Sequence, residues 1–293
     1  MGNVNSTGYI NAKINAVVAM SVYIGDRLDW VKQAVDSVFA QSFTSFKYFI
    51  IIDGDISDSI LTFLIEKEKA EARLTLLRNP HNVGLSASMN KAIEVAKDFS
   101  PKYFFRMDSD DISFPERFAL QVQFLEDNPR ISILGSSLIE INEKGEQVGK
   151  RKLPVENADI LKLLPKRCAI NHPTVMLRFS IFQQGLRYTE SLRNTQDYFF
   201  WAELAAKGYK FANLPEPLLS FRRVNNFYKR RGLSKSLNEF KARFYTMKVL
   251  KRYSIGNVFY AFAVLFLRLM PSKVVKLAYR IDRYFLNKSV KHE

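Results

Sequence analysis

Four apolar runs in the first part of the chain, at residues 14–20, 47–52, 74–77 and 103–107, alternate with stretches of helical periodicity. That alternation limits the fold more than any other feature. The first run is almost continuously apolar, as a strand covered on both faces of a parallel sheet must be. Val31, Ala34, Val35, Val38 and Phe39 then recur at the spacing of one helix face, and Leu85, Met89, Ala92, Ile93 and Ala96 do the same before the fourth run. Strands separated by full helices build βαβ units, so an α/β fold is expected, with a mostly parallel central sheet flanked by helices and right-handed crossovers. Loops at the carboxyl ends of such strands gather in one crevice. Tyr23, Asp53, Asn82 and Asp108 each follow a run and are expected to line it.

The fourth run ends abruptly in acid: YFFRMDSDDISFPER, residues 103–117, carries Asp108, Asp110 and Asp111. Crowded carboxylates repel one another unless a cation neutralises them, and oxygen ligands two residues apart suit Mg²⁺ or Mn²⁺. The same acids could equally form a solvated turn capping the next helix. Ser113 and Glu116, around Pro115, read as a capping box for a helix with Phe118, Val122 and Leu125 on one face. The absence of a GxGxxG or P-loop sequence argues against a dinucleotide dehydrogenase and a P-loop NTPase. Nucleotide phosphates would therefore have to be held by metal and basic side chains.

Further along, residues 131–137 read as a strand leading into a polar edge region through 152, 157–164 as a short helix, 171–178 as a strand, and 195–207 as a helix ended by Gly208. Asp197 opens that last helix among Tyr198, Phe199, Phe200 and Trp201. It is either a helix cap or a carboxylate desolvated enough to serve as a general base.

The formal net charge is +15, from 44 Lys+Arg against 29 Asp+Glu, which favours partners that carry phosphate. The cations concentrate after Phe221, in Arg222, Arg223, Lys229, Arg230 and Arg231, while acids line the strand ends. That separation argues against a nucleic-acid binder, whose cations and stacking aromatics would share a surface. The basic stretch is either a loop that closes over a diphosphate or a solvated one. Residues 258–286 then alternate apolar stretches with Arg268, Lys273, Lys276, Arg280 and Arg283, and Val274, Leu277, Ala278 and Ile281 can share a helix face. This basic amphipathic helical extension either lies on an anionic membrane surface or packs on its own domain. No apolar run is long enough to span a bilayer, and the polar residues 1–13 lack the apolar core of a secretory signal. The single cysteine, Cys168, excludes an internal disulfide framework.

INAVVAMSVYIGDRLDWVKQAVDSVFAQSF, IIDGDISD, NVGLSASMN, RMDSDDISFPERFALQVQFLEDNP, NHPTVMLR and TQDYFFWAELAAKG occur in an order and spacing that resembles family 2 glycosyltransferases of GT-A fold. RMDSDD, NHPTVM and the later KRRG are most similar to bacterial enzymes that assemble O-antigen, capsular or amylovoran-type polysaccharide. The resemblance implies a flexible tail over 1–13 and a GT-A domain over 14–225, with a donor half at about 14–135 and an acceptor half at about 136–225. A basic closing loop and membrane-associating helical tail over 226–293 would follow. The implied reaction is inverting transfer of a hexose, galactose or glucose, from a UDP-sugar to an undecaprenyl-diphosphate-linked sugar. The implied location is peripheral, at the inner face of the bacterial cytoplasmic membrane. A nucleotide-sugar-binding protein without catalysis is the alternative.

Carried over residue by residue, the resemblance makes Ser21, Tyr23, Asp53, Asn82, Gly84, Asn90 and Asp108 donor-binding. Asp108 and Asp110 become a DxD pair for Mn²⁺ or Mg²⁺, Asp197 the catalytic base, and Asp111 local structure. His172, Arg230 and Arg231 would contact acceptor or diphosphate. Two departures stand out: the usual DDGS is Asp53-Gly54-Asp55, and Gln196 replaces the usual Glu before the base.

Overall fold

The computed structural model describes residues 14–224 and 233–270. The expected alternation opens it: β1 (Ala16–Val22), α1 (Leu28–Phe39), β2 (Phe46–Asp53), α2 (Asp58–Ala70), β3 (Leu74–Asn79), α3 (Leu85–Ala96) and β4 (Tyr103–Met107). After β5 (Ile112–Ser113) and α4 (Arg117–Asp127) come β6 (Ile131–Ile141), β7 (Gln147–Arg151), α5 (Asn157–Leu163), β8 (Met176–Arg178), α6 (Ser180–Gln183), α7 (Gln196–Ala206) and β9 (Lys210–Arg222). Two further helices, α8 (Leu233–Val249) and α9 (Ile255–Leu269), complete the described chain.

The strands form one sheet in the order β3-β2-β1-β4-β8-β6-β9-β5, with β7 paired to β6. The sheet is mostly parallel in its first half, as expected: β3-β2-β1-β4 run parallel, and helical crossovers join the strands. Beyond β4 the sheet is mixed: β8 is antiparallel to both β4 and β6, whereas β6 and β9 run parallel. Successive residues of a strand face opposite sides. Val17, Ala19, Phe49 and Phe104 therefore pack with α3 and α7, while Val18, Met20, Tyr48 and Phe105 pack with α1, α2 and α4. Each large apolar side chain fully buried in these layers contributes about 1.5–3 kcal/mol.

Three expectations need correction. The capping box at Ser113 and Glu116 does not form, because Ser113 is recruited into β5, which pairs with β9. Helix α4 begins at Arg117 without a side-chain cap from Glu116; instead the Phe118 N–H donates to Gln41 Oε1 at 3.0 Å. Residues 171–178 are not a continuous strand, since Pro173 lies in a 3₁₀ turn over His172–Thr174 and only Met176–Arg178 pair as β8. Finally, α8 occupies part of the stretch read as a basic loop and packs against α7.

Candidate active site

Because β3, β2, β1 and β4 are parallel neighbours, the loops after them lie side by side at one edge of the sheet. Asp53 closes β2 and is buried. Its Oδ1 accepts from Asn79 Nδ2 and the Val83 N–H, and its Oδ2 from the Gly84 N–H, all at 2.9 Å. This carboxylate thus anchors the β3–α3 loop. Gly54 and Gly84, at φ of 79° and 94°, adopt left-handed backbone that glycine tolerates best. A Cβ on Gly54 would stand 2.6 Å from the Asn82 backbone nitrogen, so the two loops are in close approach. Asn82 donates to the Asp53 carbonyl at 3.3 Å and accepts from Arg193 at 3.5 Å. Asn90 ties down the chain near Tyr188, donating to its carbonyl and accepting from its N–H. Ser21 lies near the end of β1, and Tyr23 is exposed in the loop after it.

The acidic turn follows β4. Oxygens of Asp108, Asp110 and Asp111 lie within 4.8 Å of one another. Burial, reinforced by the charges of Asp108 and Asp26, pushes the Asp110 carboxyl up to about 7. Asp111 is wholly buried: burial and its acidic neighbours push it well up, its Oδ1 accepts the Arg222 N–H at 2.9 Å, and its Oδ2 has no hydrogen-bond partner among the described residues. Asp26, from the β1–α1 loop, joins them; burial raises it to about 6 against its hydrogen bonds from the Tyr23 N–H and Ser109. A solvated cap would leave its carboxylates in water. Clustered acids with elevated proton affinity and an orphaned buried oxygen fit a hard divalent cation. Asp108, Asp110 and Asp111 would hold it, so Asp111 combines a ligand's position with the local structural role expected of it.

Two buried arginines organise the turn. Arg106 lies on the same face of β4 as Phe104, the face covered by α7, and its two terminal nitrogens grip both oxygens of Asp108. Arg117, with no exposed surface, donates to the Arg106 carbonyl at 2.9 Å and to Gln121 Oε1 at 3.1 Å. From β9, Arg222 donates to the Asp110 carbonyl at 2.9 Å and to Gln33 Oε1 at 2.6 Å. Sequence reasoning missed Asp26, Arg106 and Arg117 and took Arg222 for part of a basic loop. For Arg106 a signal existed: a cation inside an otherwise apolar strand.

Asp197 is the second residue of α7, which Thr195 enters at φ 61°, an uncommon backbone for a β-branched residue. Its carboxyl accepts the Tyr198 N–H at 2.9 Å. Burial raises its proton affinity; that N–H and the Arg106 and Lys235 cations act against the rise, and Glu239 acts with it. The charge of Arg106 therefore acts on the acidic turn and on Asp197 alike. His172 is buried, with Nε2 3.2 Å from the Tyr188 hydroxyl and its ring against Tyr188 and Trp201. Burial, followed by Arg106, holds its pKa well below the usual value, so the ring is neutral. The Gln196 Oε1 is buried without a partner among the described residues. Arg230 and Arg231 lie outside the described residues.

A parallel half with an acidic turn at its strand ends, continued by a mixed half, is an α/β fold of GT-A type. The sequence profile of Glycosyl transferase family 2 matches residues 18–186, and the chain belongs to that family. It is 31% identical over 268 residues to an uncharacterized glycosyltransferase of Haemophilus influenzae, covering 90% of this chain and 97% of the relative. Against the amylovoran biosynthesis glycosyltransferase AmsE of Erwinia amylovora the identity is 28% over 269 residues, covering 91% and 98%. The crystal structure of S. aureus TarS 1-349 in complex with UDP-GlcNAc superposes with a TM-score of 0.59 at 15% identity, covering 88% of this chain and 82% of that one.

Proposed function

We propose that this glycosyltransferase moves a hexose, galactose or glucose, from a UDP-sugar to a sugar on a polyprenyl diphosphate, building a bacterial surface polysaccharide of O-antigen, capsular or exopolysaccharide type. The observation that carries the mechanism is the pairing of a cation-suited acidic turn with a desolvated Asp197, both under the charge of Arg106. The UDP-GlcNAc complex of the TarS structure supports a UDP-sugar as donor, and the amylovoran relative supports the product class.

In this reading the loops around Tyr23, Asp53, Asn82 and Gly84 seat the nucleoside, and Asp108 and Asp110 orient the donor diphosphate. A divalent metal bound there, Mn²⁺ or Mg²⁺, would offset charge developing on the leaving diphosphate. Asp197 takes the proton from the acceptor hydroxyl as its oxygen forms a bond to the anomeric carbon. The bond from that carbon to the diphosphate breaks in line, so the anomeric configuration inverts. Desolvation suits Asp197 to this task by raising its basicity. The acceptor places the protein peripherally at the cytoplasmic face of the membrane; the basic tail expected to assist, with Lys273, Lys276, Arg280 and Arg283, lies outside the described residues.

The test pairs a panel of nucleotide sugars with synthetic lipid diphosphate acceptors, reading the product linkage by NMR. Asp197→Asn should abolish transfer while binding the donor nearly as well as the wild type. Transfer at a comparable rate in that variant would remove Asp197 from the mechanism.

A further inference from the structure

Among the described residues helix α9 packs on α8, which in turn packs on α7. Its inner face is held by Ala261, which is fully buried, and by Arg268 against Glu239 at 2.6 Å; Phe262, between the two faces, meets the Phe240 ring at 5.1 Å. Among the described residues nothing covers the outer face. Ile255, Phe259, Phe262 and Phe266 recur at the spacing of one helix face and are 92%, 73%, 54% and 63% exposed. Together they leave on the order of 500 Å² of apolar surface in water, at the upper end of what a soluble monomer shows in one patch.

The charge around this face decides what can cover it. From Phe240 to Met270 the chain has no acidic residue, and Lys248, Lys251 and Arg252 are exposed at the amino-terminal end of α9. A second copy docked on the same face would bring cations against cations. The residues after Met270 carry six Lys or Arg against Asp282 and Glu293 and so meet the same repulsion. A surface that is apolar and negatively charged satisfies both features, which is the description of an anionic bilayer. The position fits as well: Arg268 binds Glu239, and Glu239 is among the charges that act on Asp197, so α8 links the bare face to the acceptor side of the site.

We propose that the outer face of α9 docks the protein on an anionic lipid bilayer, aromatic side chains entering the headgroup boundary and the flanking cations contacting anionic headgroups. This rests on the reading that the acceptor is lipid-linked, and it assigns the membrane contact to named residues of a folded helix.

The test uses the full chain and vesicles of phosphatidylglycerol and phosphatidylethanolamine, with phosphatidylcholine vesicles as the neutral comparison. Co-sedimentation should be strong with the first and weak with the second. Phe259→Ser and Phe266→Ser should each weaken vesicle binding by roughly tenfold, without lowering the melting temperature. In Phe259→Trp, added vesicles should shift the indole emission to the blue and brominated lipids should quench it, while Trp30 and Trp201, both buried, stay unchanged. Unchanged vesicle binding in the serine variants overturns the proposal. So does a dimer in size-exclusion chromatography that Phe259→Ser dissociates, or a large loss of stability in the serine variants, because another part of the protein would then cover the face. Transfer to a short-chain, water-soluble acceptor should proceed equally in wild type and Phe259→Ser. If neither protein transfers while vesicle binding behaves as expected, the docking surface stands and the acceptor reading falls.

Discussion

Replacing Arg117 with methionine removes a cation that lies wholly inside the protein, beneath the acidic turn. Burial, with Arg106 nearby, lowers its pKa to about 9 while Asp111 and Asp108 oppose the fall, so it remains protonated at neutral pH. Methionine fills much of the same volume, which keeps the packing loss small. The larger loss is electrostatic. The Arg106 carbonyl and Gln121 Oε1 lose charged donors that sit at 2.9 and 3.1 Å, interactions typically worth about 1.5–3 kcal/mol. Asp111 also loses a nearby positive charge in a place water does not reach, which raises its proton affinity further. These contributions overlap and do not add. A net loss of about 1.5–3 kcal/mol is expected, which for a chain of this size lowers the melting temperature by about 5 °C. Denaturant and thermal unfolding followed by circular dichroism would measure it. Neutralising the stranded acid with Asp111→Asn in the same chain should recover about 1–3 kcal/mol relative to additivity. A loss below about 1 kcal/mol, or strictly additive effects, would refute the account of Arg117 as the cation that supports the turn.

In metal-free protein, stability should fall as pH rises from about 4 to about 7, because Asp26 and Asp110, raised to about 6 and about 7, keep protons in the fold that the unfolded chain has already released. Mn²⁺ can take the place of those protons, so it should raise the melting temperature more at pH 8 than at pH 5; equal shifts would count against cation binding at this turn. Arg106→Met removes a cation that lowers the proton affinity of Asp197, so the acid limb of the pH–rate profile should move to higher pH, with Arg106→Lys largely restoring it. An acid limb unmoved in Arg106→Met would show that the two groups are not coupled.

The parallel half was legible because each of its strands is built on an apolar run and each crossover is a helix with one apolar face. The acids of the turn were legible for a related reason: a charged run directly after a buried strand must emerge at the sheet edge. The later half was harder to read. β9 contains Pro215 and Pro217, which the pattern of a central strand forbids, yet it pairs with β6 across register shifts near Ser136 and Ser137 that accommodate them. α8 carries charges all round its sequence, and its burial against α7 depends on a surface formed only when the sheet is complete.

Local order in the chain therefore settled which segments become strands and helices in the first half, and that Asp53, Asp108 and Asp110 stand at strand ends, because periodicity and chain direction are properties of neighbours in sequence. Tertiary structure decided the rest. Gln41 of the β1 side of the fold meets the first turn of α4, Asp26 joins acids some eighty residues away, and Arg222 reaches back to the Asp110 carbonyl. The orphaned oxygen of Asp111 and the proton affinity of Asp197 arise in the same way. Desolvation and unmet hydrogen bonds depend on which distant parts of the chain exclude water from a group, and no window of local sequence contains that information.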